Sequence, residues 1–167
     1  MFGNSYYGGE NQMGQVTHEQ ANLLLRIYEL RREPRLREAR AWFIAKFDAP
    51  KTPEDRAKTY PPGSVEDANI RMVISYWDMV AGLVNRGLID DELFFESSGE
   101  AWIVWDRIRD IAATARTMFK NPHMYRNLEQ VIQRMEEWQE RRAPGHIAVV
   151  RQMMAAGRQA AAKSTGD

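Results

Sequence analysis

The chain has 167 residues, 44% of them hydrophobic and 28% charged, with 23 basic side chains balanced by 23 acidic ones and no cysteine. This is the composition of one globular domain of ordinary size rather than of a disordered chain. Zero net charge argues against a general binder of nucleic acid or anionic membranes, and the lack of cysteine removes disulfides, thiolate metal sites and cysteine nucleophiles together.

Residues 1–16, rich in Gly, Asn, Gln and Tyr without periodicity, read as a flexible N-terminal arm whose Phe2, Tyr6 and Tyr7 either fray or dock on a neighbour. The arm has neither the basic nor the apolar region of a secretory signal, and no later stretch approaches a membrane span, so a cytoplasmic location is expected. The helical domain is read as residues 17–160. It opens at Thr17, which with Gln20 forms a capping box ahead of Leu23, Leu24, Ile27 and Leu30 at helical spacing. Pro34 forces a break, and a second helix from about Arg35 buries Leu36, Ala39, Phe43 and Phe47 with Trp42 beside them. Residues 48–63 hold four of the seven prolines and read as a long loop with no helix or strand. Such a loop is either a surface strap or a place for function.

Ser64 restarts helical structure, and Gly87 stops it as a left-handed C-cap. Asp90 caps a short turn through DDELFF, and Ser98 or Gly99 opens a helix with a ridge of Ala101, Val104, Trp105, Ile108, Ile111, Ala112, Ala115 and Met118. Asn121 and Pro122 start the next helix, whose stripe is Tyr125, Leu128, Val131, Ile132, Met135 and Trp138. A last helix from Pro144 carries Ile147, Val150, Met154 and Gly157 and runs into a frayed tail, residues 161–167. The fold class is therefore all-α: a single-domain irregular bundle of six or seven helices around a central buried helix at about 64–86.

That central helix contains one carboxylate, Asp78, in an otherwise apolar middle. At about 100° per residue, Arg71, Ser75, Gly82 and Asn85 fall within roughly 60° of it, and every other direction is apolar, Met72, Tyr76, Met79 and Leu83 forming one flank. The strip has two readings. Either it is the helix's single solvent-facing edge, or another helix lies close over Ser75 and Gly82 and brings an arginine to Asp78. Arg71, Asp78 and Asn85 are accordingly the candidates for a ligand site or an ion pair.

The run YWDMVAGLVNRGLIDDELFF, followed by the tryptophan pair in EAWIVWDRIRDI, resembles a bacterial family of small helical proteins known only as a domain of unknown function. The resemblance covers about residues 20–125 and implies a helical fold without implying catalytic residues. Relatives of that kind look as though they carry N-terminal membrane helices. This chain has only its polar arm there, so membrane attachment is not implied for it.

No metal-binding Glu-x-x-His pair, nucleophile motif, phosphate loop or dinucleotide fingerprint is present, and no cofactor is expected. His18, His123 and His146 sit near helix starts, where polar side chains gather. The acidic group Asp90, Asp91, Glu92, Glu96 and Glu100 lacks the spacing of a calcium loop and fits helix first turns. Arg26, Arg31, Arg32, Arg35, Arg37 and Arg40 alternate with glutamates as a solvated face, whereas Arg141, Arg142, Arg151, Arg158 and Lys163 are less balanced and either complement a helix dipole or suit nucleic acid or an acidic partner. Trp102 lies at the edge of its helix's ridge and, with Met153 and Met154, is the candidate for an exposed contact. The leading expectation is a non-enzymatic protein-interaction module, self-associating or with another protein. The alternative is a small-ligand sensor with a pocket between helices near Asp78 and Arg71.

Overall fold

The structure, a computed structural model, describes residues 16–164, the side chains of Pro53 and of residues 161–164 excepted. The N-terminal arm with Phe2, Tyr6 and Tyr7 falls outside the described residues but for Val16, as do the last three residues of the tail and the side chain of Lys163. Among the described residues the protein is an all-α bundle of eight helices with no strand: α1 (His18–Arg31), α2 (Pro34–Lys46), α3 (Pro53–Thr59), α4 (Val65–Asn85), α5 (Asp91–Ser97), α6 (Gly99–Met118), α7 (Arg126–Arg142) and α8 (His146–Ser164).

Local chemistry sets most boundaries. Thr17 and Gln20 form the reciprocal capping box at the start of α1. Ser64 accepts the N–H of Asp67 at 3.1 Å to open α4. At its far end Gly87 takes φ +70°, the Gly87 N–H donates to Val84 and the Leu88 N–H to Leu83, which is a Schellman closure.

Three boundaries differ from the sequence expectation, one of them at α8, which starts at His146 with Pro144 in the turn before it. The proline-rich stretch is not wholly a loop, because Pro53 occupies the first turn of a seven-residue helix capped by Thr52. A proline there removes no hydrogen bond, since that N–H has no partner inside a helix. This is the helix beyond the expected six or seven. In α7, Asn121 and Pro122 stand in turns, and the helix begins four residues after Pro122, behind a left-handed Tyr125 at φ +57°.

A single core runs through the bundle, with α4 at its centre packed mainly between α2 and α7. Trp77, Val73, Val80 and Ala81 are fully buried, Tyr76 is buried, and Met72 and Leu83 are half-buried against the core. Met79 departs from the apolar flank assigned to it and is half exposed. On α1 only Ile27 is buried, and Leu30 faces out. On α6 the ridge is buried from Ala101 to Ala112, but Ile111 and Ala115 are only partly covered and Met118 is 51% exposed.

Candidate functional site

The polar strip of α4 divides between two destinations. Asp78 accepts the backbone N–H of Leu128 at 3.0 Å and the Asn127 side-chain amide at 3.4 Å, both in the first turn of α7. Tyr125, the N-cap residue of α7, makes no side-chain cap, so a carboxylate from α4 does that work and sits at the positive end of the α7 dipole. Gly82 is buried under Asn127, where an added Cβ would lie 3.5 Å from its Nδ2 and 3.1 Å from Arg86 Nη1. Asn85 donates to the Asn127 carbonyl at 3.2 Å and accepts from Arg134, which also grips Asp91 with two nitrogens. The close helix over Gly82 exists, but the partner of Asp78 is a backbone N–H rather than an arginine.

Arg71 goes elsewhere. Two turns before Asp78, roughly 10 Å along the axis, it reaches the mouth of a cavity of about 540 Å³ between α3, α4, the last turns of α6 and the segment leading into α7. Asp67, one turn before Arg71, accepts from Arg56 Nη2 at 2.6 Å, from Arg71 Nε at 3.1 Å and from the Gly63 N–H at 3.2 Å. Burial pushes the Asp67 carboxyl up, but these donors outweigh it and hold the group below its ordinary value. Ile70, Ile74, Ile111, Met118 and Phe119 form much of the wall, and Tyr125, its hydroxyl raised by burial, closes one end. Asp78 and Asn85 do not line the cavity.

The family model described as "Domain of unknown function (DUF4760)" matches residues 16–135. The chain belongs to the DUF4760 family. No curated protein matches it, and no solved structure does. The DUF4760 match takes in α1 to α6 and the first part of α7, hence the whole cavity wall, and stops before α8. Among the described residues no helix of this DUF4760 chain is long and apolar enough to cross a membrane.

The remaining candidates in this DUF4760 chain resolve into separate contacts. Trp102 is 4% exposed, not a half-exposed anchor: its Nε1–H donates to Glu136 at 2.8 Å and Arg151 lies over its ring. Arg151 also pairs with Asp106 and Glu136, which closes α8 over the tryptophan. Met153 is 69% exposed, with Val149 one turn away also exposed, and Met154 is half-buried against the core. His18, His123 and His146 are all exposed. The acids disperse: Asp90 caps α5, Asp91 meets Arg134, Glu96 meets Arg142, and Glu100 takes Arg31, Arg40 and the Trp77 N–H. Arg56 and Phe119 escaped the sequence reading, whereas Asp67 and Arg71 stand at the i,i+4 spacing that marks a helical ion pair.

Proposed function

We propose that this DUF4760 chain is a non-enzymatic ligand-binding domain whose site is the cavity bounded by α3, α4 and the end of α6. The observation that carries the reading is the uncovered end of the α6 ridge. A stripe that is core from Ala101 to Ala112 continues as Ile111, Ala115 and Met118 along an open hollow, with Phe119 60% exposed beside it. Contiguous apolar surface that lines a hollow is the usual wall of a ligand groove. The volume falls inside the range of roughly 300–1,000 Å³ typical of small-molecule pockets, and Tyr125 holds a strained left-handed backbone at its edge, as residues at binding sites often do. Binding without chemistry is favoured because no histidine is among the described lining residues and their one carboxylate already serves three donors.

The interaction-module reading retains exposed Met153 on α8 but loses Trp102 to the interior, with Met154 half-buried, so the cavity is the better-supported site. The experiment uses N-phenyl-1-naphthylamine, a neutral dye that brightens in apolar surroundings. The protein is expected to enhance its fluorescence, and Thr114→Trp, which plugs the mouth from an exposed position, is expected to remove most of that signal at an unchanged melting temperature. Equal enhancement by both proteins, or by neither, would overturn the reading.

A further inference from the structure

We infer that the ligand of this cavity is a single-chain amphiphile with an anionic head, an inference that rests on the cavity being a ligand site. The charged side chains that line it are Lys51, Arg56, Arg71 and Asp67, three cations against one carboxylate. Asp67 engages both arginines yet neutralises only one charge. It takes one nitrogen from each, Nη2 of Arg56 and Nε of Arg71, and its remaining acceptor capacity goes in part to the Gly63 N–H. The Arg71 side chain is 65% exposed, and among the described residues its two terminal nitrogens have no protein acceptor. A guanidinium presented this way matches the paired oxygens of a carboxylate or a phosphate.

The lining also carries Ile70, Ile74, Ile111, Met118 and Phe119, which suit an alkyl chain, with the hydroxyls of Thr52, Thr114 and Tyr125 as its uncharged polar side-chain groups. Excess positive charge and a largely apolar lining together favour a molecule that is anionic at one end only. A cationic head would meet repulsion from three side chains, and an uncharged head would gain no ionic attraction from them. Carboxylate and phosphate heads share the required chemistry.

The test displaces the neutral dye with four ten-carbon probes, each kept below its micelle concentration or, for the alcohol, its solubility limit: decanoate, decyl phosphate, decanol and decyltrimethylammonium. Decanoate or decyl phosphate is expected to bind about tenfold or more tightly than decanol, the equivalent of about 1.4 kcal/mol, and the better of the two names the head. Arg71→Gln should shrink that anion-to-alcohol ratio about tenfold, while Arg71→Lys, which keeps the charge but not the paired donors, should retain part of it. Arg71 is exposed, so circular dichroism is expected to show both variants folded. Decanol binding as tightly as the anions, a preference for the cation, or a ratio unmoved by Arg71→Gln would each overturn the inference and leave the cavity a ligand site. Dye that binds and no decyl probe that displaces it would also overturn the inference. Failure of the dye itself to bind would instead remove the ligand-site reading beneath it.

Discussion

Asp78 is the residue whose position the sequence makes visible and whose task it conceals. The helical wheel places it on one strip with Gly82 and Asn85, and all three do face α7. Its partner, however, is the N–H of a residue 50 positions later, and a backbone donor leaves no mark in a pattern of side chains. The need for it arises because Tyr125 enters α7 in a left-handed conformation and supplies no cap of its own. Asp78→Ala is therefore expected to lower stability by about 0.5–2 kcal/mol, the usual cost of losing an N-cap, read from urea unfolding followed by fluorescence. Asp78→Asn should recover part of this, since the amide oxygen still accepts but brings no charge to the helix end. Hydrogen exchange at Leu128 should accelerate in the alanine variant, and dye binding in the cavity should not change. A fully stable Asp78→Ala protein would show that the α7 terminus does not depend on the cap.

Among the elements, the legible ones announce themselves through short-range chemistry. Thr17 with Gln20, Ser64 with Asp67, and Gly87 with its Schellman bonds are all settled within a few residues, and so are the helices they bound. Pro53 and Pro122 show why this fails elsewhere: Thr52 accepts the N–H three residues on and starts a helix, whereas Asn121 accepts the N–H only two residues on and closes a turn. The cavity is harder still to read, because α6 and the segment leading into α7 meet α3 and α4 there from later in the chain. The Asp67 contacts to Arg71 and to the Gly63 N–H are local. The last helix, α8, lies beyond the family match and is attached by Ile147, by half-buried Val150 and Met154, and by Arg151 spanning Asp106 and Glu136. Partly exposed ion pairs contribute about 0–1 kcal/mol each, so Arg151→Gln should loosen this element without unfolding the rest. Hydrogen exchange is expected to rise across residues 146–160 and to stay slow in α4 and around Leu128. Equal loss of protection throughout would mean that α8 belongs to the cooperative core.

For the molecule as a whole, α4 holds the centre and Glu100 ties the surrounding helices to it. The carboxylate stands in the first turn of α6 and receives Arg40 from α2, Arg31 from α1 and the Trp77 N–H from α4. Burial pushes its pKa up, but the Arg40 hydrogen bond and the charges of both arginines outweigh that and leave it below the ordinary value. A carboxyl whose folded pKa is depressed contributes stability that is complete above its unfolded pKa, near 4.3, and is lost as pH falls through the lower folded value. Glu100→Gln should therefore cost stability at pH 7. The side chains of Glu100, Arg31 and Arg40 each keep 16% exposure, so the loss should fall short of the roughly 3–5 kcal/mol of a fully buried broken pair. About 1.5–3 kcal/mol is expected, as for charged hydrogen bonds. Urea unfolding of both proteins from pH 7 downward should show the difference narrowing below about pH 4, because protonation does to wild type what the substitution does at every pH. Asp67 is depressed in the same direction, yet it is present in both proteins and cancels from the comparison. A difference that stays constant down to the acid limit would mean that the charge of Glu100 does not hold α1, α2 and α4 together.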